Sequence, residues 1–265
     1  MQTLFTQIQT LLPSPLKLRW NLQNHPCDLS ISLHKSPHLI PKLTNLLTQI
    51  PSIQNISPLN NYLNLTLKDS DWTKTLFQLP YSLKPSPPIS WKTIPPSYQE
   101  SLQSFAQKRI SERAIIEGES NPNILKQWAA QLLTLSTQYA LAIHSLPQFL
   151  SIPPAYHLNP HRNPGAAIFG LLLDLKPFLS YPTLLQTAPI KLTTLERRTI
   201  RFLHLHNSPH IRIAPAKRNH LIAQSIQELL VQYPIISTQT PNNNSIRTKI
   251  CQIAWHYLQY IPNIP

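Results

Sequence analysis

The sequence predicts a mostly α-helical protein, with a C-terminal helical bundle and a small N-terminal α+β domain. Three observations lead there. Apolar residues alternate with a period of two only within the first 80 residues. Six prolines (Pro80, Pro85, Pro87, Pro88, Pro95 and Pro96) then interrupt the chain, and residues 81–96 form a stiff linker. Beyond it, residues 97–265 carry apolar side chains at helical spacing, broken by a proline-rich insertion at about 150–193.

The elements follow in order. Leu4, Phe5, Ile8, Leu11 and Leu12 recur every three to four positions, which predicts a short opening helix. LKLRWNL and LSISL alternate as half-buried strands do. Leu39, Ile40, Leu43, Leu46, Leu47 and Ile50 mark a helix opened by Pro37. SIQNIS and YLNLTL supply two further strands, with Leu63, Leu65 and Leu67 on one face. After the linker, YQESLQSFAQKRISERAIIEG is a helix ending at Gly118, a residue suited to a left-handed C′ position. Asn121-Pro122 caps and opens the next helix, whose apolar stripe is Leu125, Trp128, Ala129, Leu132, Leu133, Tyr139, Ala142 and Leu146. Within 147–193 only AAIFGLLLDL predicts a helix. Three helices close the chain: LERRTIRFLHLH, APAKRNHLIAQSIQELLVQY and SIRTKICQIAWHYLQY.

Composition narrows the function. Lys plus Arg number 23 against 10 acids, a formal net charge of +13, which favours a polyanionic partner. Only 12% of residues are charged, about half the usual share, so Asn, Gln, Ser and Thr must build much of the surface. Two cysteines, Cys27 and Cys251, make neither a disulfide framework nor a zinc site. There is no apolar run long enough for a membrane span and no basic leader, so a cytoplasmic location without membrane contact is expected. With three glycines and no GxxxxGK[ST] or GxGxxG, the chain lacks the backbone cradle of phosphate-loop NTPases, dinucleotide-binding proteins and kinases.

Candidate ligand-binding residues lie at the C-terminal end. On a helical wheel Arg197, Arg201 and His204 share one side, with Arg198 beside them. Lys217 and Arg218 stand at the start of the next helix. Lys249, His256 and Tyr260 fall together on the last one, opposite the stripe of Ile250, Cys251, Ala254, Tyr257, Leu258 and Ile261. A cation beside an exposed ring suits a splayed-out nucleotide, the cation meeting phosphate and the ring stacking on a base. Residues 195–265 hold eight Lys/Arg and two acids.

The order of these segments resembles the DALR-type anticodon-binding domain of class I arginyl-tRNA synthetases. The family's YAHAR-like helix corresponds to Tyr139-Ala140-Leu141-Ala142, where Leu141 and Ile143 replace the His and Arg. Its acidic-arginine helix start corresponds to Leu195-Glu196-Arg197. A P-x-x-L-x-x-x-x-x-x-L helix is entered through Ala214, Pro215 and Leu221 and runs to Leu230, and the chain closes on Tyr260-Ile261-Pro262-Asn263-Ile264-Pro265 without the usual terminal Met. The first 80 residues resemble the additional N-terminal domain of the same enzymes, which contacts the tRNA elbow, through Ser57-Pro58-Leu59-Asn60-Asn61-Tyr62-Leu63-Asn64-Leu65. The ATP-binding HxGH and KMSK signatures are missing from the sequence.

The resemblance implies a non-catalytic tRNA-binding protein that docks the anticodon stem-loop on a basic helical face, with no cofactor. Its contacts would be Arg197, Arg198, Arg201, Lys217, Arg218, Lys249, His256 and Tyr260. The alternative is a protein–protein interaction module acting with a synthetase or translation factor. Other constellations carry less. His157-x-x-x-His161 and His204-x-His206 have metal-like spacing but no neighbouring acid or thiol ligand. Glu100, Glu112, Glu117 and Glu119 lie near Lys108, Arg109 and Arg113 as a solvated helix face.

Overall fold

The computed structural model describes residues 1–21, 27–79, 91–178, 191–205, 215–235 and 241–259. Along the chain they form α1 (Gln2–Leu11), β1 (Leu18–Trp20), β2 (Leu29–Ser32), α2 (Ile40–Leu47), β3 (Ile53–Leu59), β4 (Tyr62–Leu67) and α3 (Asp69–Gln78). There follow α4 (Pro96–Glu117), α5 (Pro122–Ile143), α6 (Leu146–Ser151), α7 (Pro154–His157), α8 (Pro164–Leu175), α9 (Thr194–Leu205), α10 (Pro215–Gln232) and α11 (Pro241–Gln259). Helix dominates, and the small sheet lies near the N-terminus. The chain divides into two compact units, the first made of Met1–Leu79, Thr183–Leu205 and Ile235–Ile250, the second of Pro80–Pro182, His206–Pro234 and Cys251–Pro265. Two pieces of the C-terminal stretch thus belong with the N-terminal domain.

In the first unit the strands form one antiparallel sheet in the order β1-β2-β4-β3. Asn60 and Asn61, both at positive φ (48° and 61°), make the two-residue turn between β3 and β4. Such a turn matches the twist of the strands it joins, and Asn tolerates the left-handed region better than most residues. Period-two alternation splits the sheet into two faces. Leu18, Ile31 and Leu63 pair across three strands on one face, with Leu29, Leu65 and Leu67 equally buried beneath the helices. Arg19, Ser30 and Asn64 pair across the same strands on the other face. Helix α9 packs on α3 within this unit.

In the second unit α5 packs against both α4 and α8, and α10 against α8. Helix α4 ends as its sequence predicts: Gly118 takes φ 66° and its N–H donates to the Ala114 carbonyl. The Asn121 side chain caps α5, accepting from the Asn123 N–H at 3.0 Å. In the segment 147–193 two short helices, α6 and α7, precede the expected α8. Each opens with a proline in its first turn, where the missing N–H costs nothing. Helices α8 and α5 meet at Gly165, where a Cβ would stand 2.2 Å from the Leu135 carbonyl oxygen. Only glycine permits that approach.

Candidate nucleic-acid interface

The capping of α9 decides where its arginines go. Glu196 and Thr193 form a reciprocal box: the Thr193 N–H donates to Glu196 Oε2 at 2.8 Å, and the Glu196 N–H donates to Thr193 Oγ1 at 3.2 Å. The helix they start is buried nearly all round. Ile200, Phe202, Leu203 and Leu205 are all buried, and they point to four different sides of the wheel.

Its basic side chains are withdrawn from solvent with it, Arg198 and Arg201 buried and Arg197 and His204 half-buried, which corrects the expectation of a solvent-facing basic flank. Arg201 is 1% exposed. Its Nη1 donates to Asp28 Oδ1 at 3.2 Å and to the Cys27 carbonyl at 2.9 Å. Arg197 Nη1 donates to Asp28 Oδ2 at 3.3 Å and to the Leu67 carbonyl at 2.6 Å, and its Nη2 is bonded to Asp69. Arg198 is buried. His204 packs between the indoles of Trp20 and Trp72, with ring centroids 6.0 and 6.2 Å away. Burial pushes its pKa down to about 4, and the Met1 ammonium adds to the shift. In the first-unit part of α11, Arg247 Nε pairs with Glu196 at 3.1 Å. Lys249 is buried with its Nζ 5.5 Å from the centroid of Phe77, and burial lowers its pKa.

Of the remaining expected contacts, Lys217 is exposed near the start of α10, while Arg218 and His256 are half-buried in the same, second unit. Tyr260 lies outside the described residues. Physical reasons account for the corrected positions. An isolated Arg or Lys is solvated by default, but Arg197, Arg201 and Arg247 meet acids and Lys249 meets a ring that sequence order hides. No local signal in α9 could have found them: its wheel gathers Arg197, Arg201 and His204 on one side, with Arg198 beside them, as an exposed basic flank would.

The open face of the sheet carries a different site. Arg19, Asn21, Ser30, Ser32, Tyr62 and Asn64, with Trp20, Leu59 and Asn60 at its margin, line a groove of about 430 Å³. Its floor is a polar network. Asn21 Nδ2 donates to Ser30 Oγ at 2.8 Å, and Ser30 Oγ donates to Asn64 Oδ1 at 2.7 Å. Cys27 lies beside it, its thiol 3.0 Å from Asn21 Nδ2 and its pKa raised by burial. The Tyr62 ring meets His34 edge-on at 4.9 Å and remains exposed. A cation, amides and hydroxyls beside an accessible ring are the components that hold an unpaired nucleotide. Sequence alternation marked these residues only as a polar strand face, with no sign that they form a concavity.

The charge around the groove has one sign. Among the described residues of this unit the exposed ionisable side chains are Lys17, Arg19, Lys35, Lys42, Lys68, Lys74, Lys191, His34 and His38. The unit's four acids are Asp28 and Glu196, both buried, and Asp69 and Asp71, both half-buried.

No described group of three His, Cys, Asp or Glu side chains is arranged to hold a metal ion. His157 is buried, stacked on Phe149 with centroids 4.2 Å apart, and its Nε2 is 2.9 Å from the Phe149 carbonyl. Among the described residues no helix is long and apolar enough to cross a membrane. No family model matches the chain, and no curated protein and no solved structure matches it either.

Proposed function

We propose that the chain is a non-catalytic tRNA-binding protein related to arginyl-tRNA synthetase, and that it engages RNA through the open sheet face of its first unit. The observation that supports this most is the groove of Arg19, Asn21, Tyr62 and Asn64 in a unit whose exposed charges are all positive. The likeness of residues 57–65 to the elbow-contacting domain of those synthetases points to the same strands. Of the contacts expected from the sequence, Lys217 is an exposed cation on the second unit, available to an anticodon stem-loop. In this reading Arg197 and Arg201, engaged with Asp28 and Asp69, take no part in phosphate contact.

Filter binding of tRNA over a range of salt tests the reading. Neutralising about five phosphates gives a slope of log affinity on log salt of about −3 to −5. Arg19→Ala lowers that slope by about one. Tyr62→Ala weakens binding by about 1–3 kcal/mol through lost stacking, with the slope preserved. Absence of salt-dependent affinity, or an Arg19→Ala/Tyr62→Ala double variant that binds as well as the parent, refutes it. A protein partner retained from nuclease-treated lysate together with no tRNA affinity favours the interaction-module alternative.

A further inference from the structure

Helix α4 presents an apolar and charged ridge that none of the chain's own described elements covers. Phe105, Arg109, Glu112 and Ile116 follow one another at intervals of four, three and four residues, the spacing of a coiled-coil seam. All four are exposed, Ile116 at 75%, and Ile115 on its flank reaches 84%. These are large apolar exposures for a helix whose other face supplies Leu102, Ala106, Ile110 and Ala114 to the core. The only contact between the two seam charges is a solvent-exposed one, Arg109 Nη1 to Glu112 at 3.5 Å.

The order of residues along the seam is palindromic in chemistry. A two-fold axis crossing α4 between Ile110 and Ser111 exchanges Phe105 with Ile116 and Arg109 with Glu112. A second copy laid antiparallel therefore meets apolar with apolar at both ends and base with acid twice in the middle, as an isologous interface requires. The same axis sets Lys108 opposite Arg113. Arg113 is already held by Glu117 at 2.5 Å and by Asp174, so Lys108 meets a neutralised arginine rather than a second bare cation. Beside the ridge lies a largely apolar groove of about 250 Å³, floored by Leu132, Ala166, Phe169 and Leu173 and edged by Ile116. Gly170 leaves it open, with nothing within 4 Å of the place a Cβ would occupy. Ile116, which the axis sets opposite Phe105 of the second copy, stands at the edge of this groove.

From this self-complementarity we infer that the chain forms a two-fold dimer through α4. The inference is independent of RNA binding and rests on the second unit alone. Sedimentation equilibrium of nuclease-treated full chain, over about 1 to 100 μM, is expected to show a monomer–dimer equilibrium. Arg109→Glu sets acid against acid at both crossings, and Glu112→Arg sets base against base. Each raises the dissociation constant about tenfold or more. The Arg109→Glu/Glu112→Arg double variant restores the dimer, and an equimolar mixture of the two single variants forms a heterodimer. Ile116→Ser, at an exposed site, weakens the dimer with unchanged helical circular dichroism. A monomeric parent over the whole range overturns the inference. So does a dimer indifferent to both charge reversals, or one lost in the single variants without recovery in the double variant or the mixture.

Discussion

Asp28→Asn separates the structural role of the α9 arginines from the phosphate-binding role that sequence pattern suggests. Asp28 is fully buried, and its two oxygens serve three donors. Oδ2 accepts the Leu67 backbone N–H at 2.8 Å and Arg197 at 3.3 Å, while Oδ1 accepts Arg201 at 3.2 Å. Asparagine keeps one acceptor but turns an NH2 toward a guanidinium and removes the negative charge. Arg197 retains Asp69, and Arg201 retains the Cys27 carbonyl. Stripping the counter-charge from a buried cation costs about 3–5 kcal/mol. That is a large part of the 5–15 kcal/mol that stabilises a typical domain, as an order of magnitude. Urea unfolding measures it. The companion variant Arg197→Ala/Arg201→Ala strands the carboxylate instead and should lose stability comparably. At a temperature where that variant stays folded, its tRNA salt slope should equal the parent's. A cost below about 1 kcal/mol for Asp28→Asn refutes the reasoning. A double variant of normal stability whose salt slope falls by about two refutes it equally, since those arginines would then be meeting phosphates.

His204 makes stability depend on pH. Its pKa falls to about 4 in the fold, so below the unfolded value of about 6.5 the unfolded chain binds the extra proton. Stability is therefore full above that value and is lost as pH drops toward 4, by about 2 kcal/mol after discounting partial exposure. His204→Gln should flatten the urea midpoint over that window; an unchanged slope would place the titration elsewhere. Gly165→Ala should destabilise the second unit by about 1–3 kcal/mol, because the added methyl meets the Leu135 backbone rather than a movable side chain. A melting temperature equal to the parent's would show that α8 shifts away without penalty.

Local chemistry explains which parts of the fold were legible in the sequence. Strand alternation, the Gly118 terminus and the Asn121 cap each depend on residues within a few positions, and the structure has all three. The corrected parts depend on residues far apart. Arg201 is buried because Asp28 waits 173 positions away, and Arg247 because Glu196 does 51 positions away. A helical wheel records which residues share a face; it says nothing about what faces them. The groove on the sheet was hidden for a related reason. A row such as Arg19, Ser30 and Asn64 exists only once the register of three strands is set, and polar alternation by itself predicts a wet surface rather than a concavity.

The same scarcity of acids governs both the buried cluster and the exposed surface. The first unit has four carboxylates, and two of them, Asp28 and Glu196, lie in the interior to neutralise Arg197, Arg201 and Arg247. A carboxylate committed there cannot also balance a surface lysine. Lys17, Arg19, Lys35, Lys42, Lys68, Lys74 and Lys191 thus stand exposed with no exposed acid in their own unit. Such a one-signed surface raises the local concentration of a polyanion and speeds encounter. Such a field carries no base specificity; in the proposed RNA contact that would fall to groups such as the Asn21, Ser30 and Asn64 network at the groove floor. The second unit differs: Glu100, Glu112, Glu117 and Asp174 are exposed among its bases. Interspersed charges of both signs favour a self-complementary contact over a polyanion, so burying two acids in one unit also separates the two surfaces by the kind of partner each can hold.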